Sequence, residues 1–335
     1  MSFLQVGLNP HGIGYHLGLR AAGTPRANPK GKGLEGLIEL SQEFGTTSIE
    51  IHEQWLTAMN DRDLAATKER VASMGMKPVI SGAMLSDTSI TGSVKAANGV
   101  GANVVRVPLT RVLCGDRHIL GDEWPRLHAW VRRTIKAHAR IAADHGLTLG
   151  IENHQDFTSA ELIEFCGESG DNVGIVYDTG NSFPVAEDPI TFTQRIATLV
   201  RHMHLKDYRV QMTNEGFRLV RCPIGDGAVP FEAIIPILAT YHRSLTASLE
   251  PGALDVRHVR LFTPAWWRGY PPKSATELAA VLLATRRNML PEDADWRTPW
   301  ERGEDDKVIA HEMETIRKSV ANMTALGFME RKAKA

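Results

Sequence analysis

Short apolar runs alternate with segments of helical periodicity along most of this chain. Eight of the runs have the apolar, largely β-branched middle that is typical of strands buried on both faces of a parallel sheet. They span residues 4–8, 47–53, 77–81, 103–109, 147–153, 173–178, 201–207 and 245–250. Amphipathic stretches lie between them, at residues 34–44, 64–74, 124–145, 160–166, 190–200 and 231–242. This alternation predicts repeated parallel βα units.

Eight βα units close into a (β/α)8 barrel, an α/β fold with its active site at the carboxyl ends of the strands. A doubly wound open sheet is the alternative, because it is built from the same units. The first predicted strand is not followed by a Gly-x-Gly-x-x-Gly motif, which disfavours a dinucleotide-binding open sheet. We therefore predict a catalytic TIM barrel over residues 1–252.

Residues 253–335 extend beyond this barrel and carry helical patterning near residues 274–288 and 305–326. Segments rich in tryptophan usually pack against other parts of a protein rather than remain disordered. The tryptophans of this segment are Trp266, Trp267, Trp296 and Trp300. We predict a helical, Trp-rich C-terminal extension that caps the barrel mouth or mediates oligomerisation. A homo-oligomer or a partner subunit is therefore expected.

The charge balance argues against a polyanionic partner. The chain has 38 Lys and Arg residues against 39 Asp and Glu residues, a formal net charge of −1, so it lacks the positive charge that attracts nucleic acid or an anionic membrane. Its three cysteines are too few and too widely spaced for a disulfide framework. Neither a signal peptide nor a run of about 20 apolar residues is recognisable. We expect a cytoplasmic protein with neither nucleic-acid nor membrane partners.

Four acidic or imidazole residues end consecutive predicted strands: Glu152, Asp178, His204 and Glu250. A barrel brings the carboxyl ends of neighbouring strands to one rim, so these side chains are expected to lie together. Taken singly, each has a structural alternative, such as a carboxylate that caps a turn. Three carboxylates and one imidazole suit a divalent ion such as Mn²⁺, Mg²⁺, Co²⁺ or Zn²⁺. We predict one such ion as cofactor, with Mn²⁺ as the first choice.

The phrases around these residues resemble a known family. They are IENHQ (151–155), YDTGN (177–181), HMHLKD (202–207), GDGAVPF (225–231) and SLEP (248–251). Together they are similar to the xylose-isomerase-like TIM-barrel superfamily, which contains sugar phosphate isomerases and epimerases and the AP endonuclease 2 proteins. The resemblance covers roughly residues 4–252. It implies a single-metal site held by Glu152, Asp178, His204 and Glu250.

Two departures from the family pattern bear on the reaction. Many of its isomerases and epimerases have a histidine three residues after the second ligand, where this chain has Asn181. Endonuclease members need additional ligands to hold three zinc ions, and the DTGN segment of this chain lacks one of these ligands. The resemblance therefore favours a lyase, similar to 3-oxo-isoapionate-type decarboxylases, the subunits that cleave 3-oxo C-glycosides, and inosose dehydratases. The alternatives are an isomerase or epimerase and, in another class, a barrel that binds sugars without catalysis.

The predicted substrate is a 3-oxo sugar or a keto sugar acid. A divalent ion can polarise its carbonyl as a Lewis acid and stabilise the negative charge of an enediolate. The reaction then depends on which bond to the reacting carbons breaks. Loss of CO₂ gives decarboxylation, loss of a hydroxyl or glycosyl group gives elimination, and loss and return of a proton give isomerisation. We rank carbon–carbon cleavage first and dehydration second.

Two residues beside the predicted ligands are candidates for the chemistry. His154 lies two positions beyond Glu152, so it can face the same side of the strand and act as a general acid or base. Lys206 follows His204 at the same spacing and could stabilise an enolate or bind a carboxylate. For each, a surface or supporting role is the alternative. The predicted catalytic residues are His154, Lys206, Glu152 and Glu250. The predicted substrate contacts are Asn9, His52, Glu53 and Arg106, of which Arg106 offers the planar fork that suits a carboxylate.

Overall fold

The computed structural model describes residues 3–252 and 254–330, so residues 1–2, 253 and 331–335 of the two predicted segments lie outside the described residues. Eight parallel strands form one sheet: β1 (Leu4–Leu8), β2 (Ser48–His52), β3 (Lys77–Ser81), β4 (Val104–Pro108), β5 (Thr148–Glu152), β6 (Val173–Asp178), β7 (Val200–Leu205) and β10 (Leu245–Leu249). Their order in the sheet is β1-β10-β7-β6-β5-β4-β3-β2. Every predicted strand is present, with its ends within two residues of the prediction.

The two end strands of this order, β1 and β2, meet and nearly close the sheet into a barrel. The N–H of Thr47 donates to the carbonyl of Val6 at 3.0 Å, and Ser48 Oγ donates to the carbonyl of Gln5 at 2.8 Å. Gly7 permits this approach, because a Cβ there would lie 2.3 Å from the Ser48 carbonyl oxygen. The predicted (β/α)8 barrel is confirmed, and the open-sheet alternative is wrong.

Helices connect successive strands and cover the outside of the barrel. They are α1 (Gly33–Glu43), α2 (Glu53–Thr57), α3 (Asp61–Ser73), α4 (Ser89–Val100), α5 (Glu123–Asp144), α6 (Ser159–Ser169), α7 (Pro189–Ile196) and α8 (Phe231–Ala239), and the C-terminal segment adds α9 (Ala275–Ala284) and α10 (Asp305–Ala325). Helix α4 is absent from the predicted set because its two glycines and β-branched residues weaken the helical signal. None of the helices in the described part of the chain is long and apolar enough to cross a bilayer.

The connection after β7 is an antiparallel sheet rather than an irregular loop. Strand β8 (Tyr208–Thr213) pairs with β9 (Gly216–Arg221), and β11 (Arg257–Val259), which follows the barrel, pairs with the other edge of β9. The turn from β7 into β8 contains only Lys206 and Asp207. This small sheet therefore stands directly on the carboxyl end of the barrel.

Asp207 organises the segment that follows the hairpin. Its Oδ1 accepts the N–H groups of Tyr208 and Val229 at 2.9 and 3.0 Å, and its Oδ2 accepts those of Gly225 and Gly227 at 3.0 and 2.9 Å. A Cβ on Gly227 would lie 2.2 Å from Asp207 Oδ1, so only glycine fits there. Two carboxylate oxygens thus satisfy four backbone donors beside the carboxyl-end rim of the barrel.

We expect Asp207→Asn to lower the free energy of unfolding by about 2–4 kcal/mol, because an amide NH₂ would face two of these N–H groups and leave them without an acceptor. Chemical denaturation monitored by circular dichroism would measure the loss. The matched control is Asp226→Asn in the same loop, whose side chain pairs with Lys318 near the surface and whose loss should cost less than about 1 kcal/mol. Equal stability of the two variants would contradict this prediction.

The C-terminal segment packs on loops at the carboxyl end of the barrel. Trp266 is fully buried, and its Nε1 donates to the carbonyl of Cys114 at 2.9 Å. Glu312 in α10 accepts the N–H groups of Tyr15 and His16 at 3.0 and 2.7 Å. These contacts hold the loops that follow β4 and β1 against the C-terminal segment. The division of the chain after residue 252 and a role of this segment in oligomerisation stay predictions.

Candidate active site

The strand ends bring the four predicted metal ligands together. Glu152 ends β5, Asp178 ends β6, His204 lies near the end of β7, and Glu250 directly follows β10. The register places Asp178 beside His204, and Ser248 beside His204 on the other flank. All four predicted ligands are buried, and one ligand atom from each lies within 4.8 Å of the others. We call these four residues the acidic cluster.

Two cations neutralise much of the charge of this cluster. Arg106 Nη2 donates to Glu152 Oε2 at 2.5 Å. Lys206 Nζ contacts Asp178 Oδ2 and lies 2.9 Å from Glu250 Oε1. Burial opposes the charge of Lys206, but the carboxylates of Asp178 and Glu250 outweigh it and raise the pKa of Lys206 above its usual range. Lys206 is therefore a charged ammonium group and not a proton acceptor.

His204 is held between carboxylates at both ring nitrogens. Its Nδ1 lies 2.8 Å from Glu250 Oε2 and 3.1 Å from Glu152 Oε1, while Nε2 lies 2.9 Å from Glu50 Oε2. Glu50 and His202 form a second buried group with His204. A carboxylate on the far nitrogen is the arrangement that orients a metal-ligating histidine.

The acidic cluster fits a divalent cation. Burial opposes the charge of His204, but the carboxylates of Glu50, Glu250 and Glu152 outweigh it and raise the pKa of His204 well above its usual range. Its Nδ1 converges with oxygens of Glu152 and Glu250 at 3.1 and 2.8 Å, so a divalent cation at this point would take the place of a proton. A cation would satisfy these converging lone pairs, and three carboxylates with one imidazole suit Mn²⁺, Mg²⁺, Co²⁺ or Zn²⁺. The choice of Mn²⁺ stays a prediction.

Two asparagines orient Asp178. Asn153 Oδ1 accepts the N–H of Asp178 at 2.6 Å, and its Nδ2 donates to the Asp178 carbonyl at 2.8 Å. Asn181 Nδ2 donates to Asp178 Oδ2 at 2.7 Å, and its Oδ1 accepts from Gln155 Nε2 at 3.2 Å. Asn181 stands where the family resemblance places a histidine in many isomerases, so an amide that cannot transfer protons occupies that point.

A cavity of about 690 Å³ lies over the acidic cluster. The predicted site residues that line it are His52, Glu53, Arg106, His154, Lys206 and Glu250. Nδ1 of His154 is buried and has no hydrogen-bond partner among the described residues. Burial, together with the nearby cations Arg106 and Lys206, lowers the pKa of His154 to about 4. Its imidazole is therefore neutral near pH 7 and has a lower proton affinity than a free imidazole.

Two predicted substrate contacts have other partners in the structure. Asn9 is not among the described residues that line the cavity; its Nδ2 donates to Glu50 Oε2 at 2.9 Å, so it supports Glu50 beneath the cluster. Glu53 does line the cavity, but its Oε2 accepts from Ser93 Oγ and from the N–H of Ala83 at 3.1 Å. In this structure Asn9 therefore supports Glu50, and Glu53 already bonds to Ser93 and Ala83; the contact of either residue with substrate stays a prediction.

Several residues at the site are absent from the sequence-based prediction. Glu50 and His202 lie two positions before predicted site residues, so the alternation of side chains along a strand could have indicated them. Arg221 and Arg257 come from β9 and β11 and line the cavity. Their position depends on an antiparallel pairing that the βα alternation does not reveal.

Comparison with known proteins agrees with this architecture. Residues 38–259 match the family model of the xylose isomerase-like TIM barrel, which confirms the resemblance seen in the sequence motifs. The uncharacterized protein YihM of Escherichia coli (strain K12) is 26% identical over 231 residues, which are 67% of this chain and 66% of YihM. An inosose dehydratase of Clostridium botulinum (strain Alaska E43 / Type E3) is 26% identical over 145 residues, 39% of this chain and 47% of that enzyme. This chain thus matches less than two thirds of each relative's length.

A solved structure shares the fold at lower sequence identity. The probable 3-DHS dehydratase AsbF from Bacillus anthracis, involved in petrobactin synthesis, superposes with a TM-score of 0.54 at 16% identity. The superposition covers 75% of this chain and 92% of AsbF. At this identity the similarity establishes the barrel architecture, and the chemistry has to be argued from the site.

Proposed function

The chain belongs to the xylose isomerase-like TIM barrel family, and we propose that it is a divalent-metal-dependent lyase acting on a keto sugar or keto sugar acid. The observation that carries this proposal is the buried convergence of Glu152, Asp178, His204 and Glu250 beneath a cavity that also holds His154. The inosose dehydratase relative supports bond cleavage in a sugar-like substrate. We expect a cytoplasmic enzyme whose partner is a small carbohydrate.

The acidic cluster would hold the ion, which when bound supplies Lewis-acid polarisation of a carbonyl and stabilisation of negative charge on its oxygen. The chain's own groups position the reaction. Arg106 and Lys206 neutralise the carboxylates, and Glu50 orients His204. His154 is the group suited to proton transfer, because its neutral ring lines the cavity with Nδ1 unpaired. It would take a proton from a substrate hydroxyl or carbon and return it to the product.

Carbon–carbon cleavage, such as decarboxylation of a 3-oxo-isoapionate-type acid or cleavage of a 3-oxo C-glycoside, is the first choice, and dehydration the second. Isomerisation requires a proton to leave one position and return at another, for which a second acid–base group is usual. The amide of Asn181 cannot supply one, which supports a lyase. A sugar isomerase or epimerase remains the alternative, because it would use the same cluster and cavity.

Mass spectrometry of the products tests the reaction class. The Mn²⁺-loaded protein would be incubated with 3-oxo sugars, 3-oxo sugar acids and simple ketoses, with EDTA-treated protein as the control. We expect a metal-dependent product that is lighter by CO₂, by water or by a glycosyl group. A product that has the mass of the substrate in H₂O, and that gains one deuterium on carbon in D₂O, would instead establish an isomerase or epimerase.

A further inference from the structure

The cavity over the acidic cluster has more cationic than anionic side chains. Among the described residues that line it, the cations are Arg20, Arg106, Arg111, Lys206, Arg221 and Arg257, and the carboxylates are Glu53, Glu250 and Asp255. Some of these cations have carboxylate partners. Arg106 pairs with Glu152, Lys206 with Glu250, and Arg20 with Asp255 at 2.6 Å. The surplus therefore lies on the remaining arginines.

Arg111, Arg221 and Arg257 form no ion pair with a carboxylate in the described part of the chain, and of these three Arg221 and Arg257 also have buried N–H groups that lack an acceptor. Arg221 ends β9, and its guanidinium lies 5.2 Å from the ring centroid of Tyr208. Its Nε and Nη1 are buried without an acceptor among the described residues, as is Nε of Arg257 in β11. Buried N–H groups without an acceptor cost free energy, so a ligand that accepts their hydrogen bonds is favoured.

Packing holds the Arg221 side chain in place beside the site. A Cβ on Gly252, just after Glu250, would lie 3.0 Å from Arg221 Nη1, so the guanidinium rests directly on this backbone. The face of Tyr208 supports it from another side. An arginine held in this way loses little side-chain freedom on binding, and its planar fork matches the oxygens of a carboxylate or phosphate.

The charge of the occupied site also favours an anionic ligand. A divalent ion together with Arg106 and Lys206 would balance the three carboxylates of the acidic cluster and that of Glu50. Arg221 and Arg257 therefore add positive charge beyond this balance in a partly enclosed cavity, where interactions between charges are stronger than in bulk water. A neutral sugar would leave these charges unbalanced.

We propose that Arg221 and Arg257 form an anion subsite that binds a carboxylate or phosphate group of the substrate. This inference deepens the proposed function, on which it rests for the sugar part of the ligand. Arg106, which the sequence predicts as a substrate contact, donates from Nη2 to Glu152, so its charge is already balanced within the acidic cluster. The specificity for an acidic substrate therefore resides on the small antiparallel sheet and not on the barrel.

Calorimetric titration with three probe compounds tests the subsite. D-gluconate, D-glucose 6-phosphate and D-glucose would be titrated into the Mn²⁺-loaded and the EDTA-treated protein at low ionic strength. We expect at least one anionic compound to bind about 10- to 100-fold more tightly than D-glucose in both states, because charge-assisted hydrogen bonds are strong. The tighter of the two anions identifies a carboxylate or a phosphate as the preferred group. Equal affinities of all three compounds, or no anion binding, would overturn the proposal.

Substitutions of the two arginines test whether they are the groups that bind the anion. Arg221→Gln and Arg257→Gln should each reduce the preference for the anion about tenfold or more, and Arg221→Lys, which keeps the charge but loses the fork, should have an intermediate effect. Arg133→Gln, at an exposed position of α5, is the matched control and should bind like the unaltered protein. If Arg221→Gln does not fold, as judged by its thermal unfolding, Arg257→Gln and Arg221→Lys carry the test. An unchanged anion preference in the folded variants would refute the subsite.

The same titrations separate this inference from the proposed function. Mn²⁺ affinity is measured independently of anion binding. If the protein fails to bind Mn²⁺ but keeps an Arg221-dependent preference for anions, the metal-dependent lyase is refuted and the anion subsite is supported. If the protein binds Mn²⁺ and cleaves a keto sugar without preference for an anion, the lyase is supported and the anion subsite is refuted.

Discussion

Glu250→Gln is expected to abolish metal retention and turnover. Glu250 places one oxygen 2.8 Å from His204 Nδ1 and the other 2.9 Å from Lys206 Nζ. The substitution removes a full negative charge from the converging lone pairs and puts an amide in its place. Altering residues that merely support ligands typically costs 10- to 100-fold in metal affinity, so losing a ligand should cost at least about 100-fold. Elemental analysis after dialysis and calorimetric titration with Mn²⁺ would measure the loss.

A matched carboxylate is available as the control. Glu53 is also buried and lines the same cavity, but it bonds to Ser93 and to the N–H of Ala83 rather than to the acidic cluster. Glu53→Gln should therefore keep the affinity for Mn²⁺ even if it changes substrate binding. Full activity of the metal-depleted Glu250→Gln protein would refute the assignment of the metal site. Equal loss of Mn²⁺ in both variants would show that general disturbance of the cavity, and not a missing ligand, is responsible.

The barrel could be predicted because its signal is local. Each of the eight strands is a short apolar run, and β6, buried at all six positions, shows why such runs are continuous rather than alternating. The ends of α1 and α5 are also indicated locally, because Gly45 and Gly146 adopt the positive φ that commonly ends a helix. Helix α4 also ends at a glycine of positive φ, Gly101, but its two internal glycines and its β-branched residues weaken the helical signal, so its position becomes clear only from its packing on β3 and β4.

Only those site residues could be predicted whose position is set by the barrel itself. The acidic cluster could be predicted because βα repetition brings the carboxyl ends of the strands to one rim. The hydrogen-bond and ion-pair partners of these residues could not be predicted from that repetition. Arg106 is within reach of Glu152 because Arg106 pairs with Gly150 on the neighbouring strand, and this register is a three-dimensional property. The pairing of β9 with β11, in which Arg257 lies opposite Leu219, brings Arg221 and Arg257 to the same cavity, and no local period encodes this long-range pairing.

His154→Ala is expected to lower kcat by about 10²- to 10⁴-fold while the metal stays bound, because a positioned acid–base group contributes on this scale. His154 lines the cavity and lies two residues beyond Glu152, yet it is not a member of the acidic cluster. Steady-state kinetics on the substrate identified by mass spectrometry would give kcat and KM separately. Metal content measured on the same sample shows that the cluster is intact.

His154→Gln distinguishes proton transfer from simple hydrogen bonding. Glutamine can still donate and accept hydrogen bonds in the cavity, but it does not take up a proton near neutral pH. If His154 transfers a proton, the Gln and Ala variants should lose kcat to a similar extent, with a smaller change in KM. If glutamine restores kcat, His154 only positions the substrate, and the proton must move through another group. An unchanged kcat in both variants would show that His154 takes no part in the mechanism. A lyase that uses this cavity would then have to transfer the proton through a different residue.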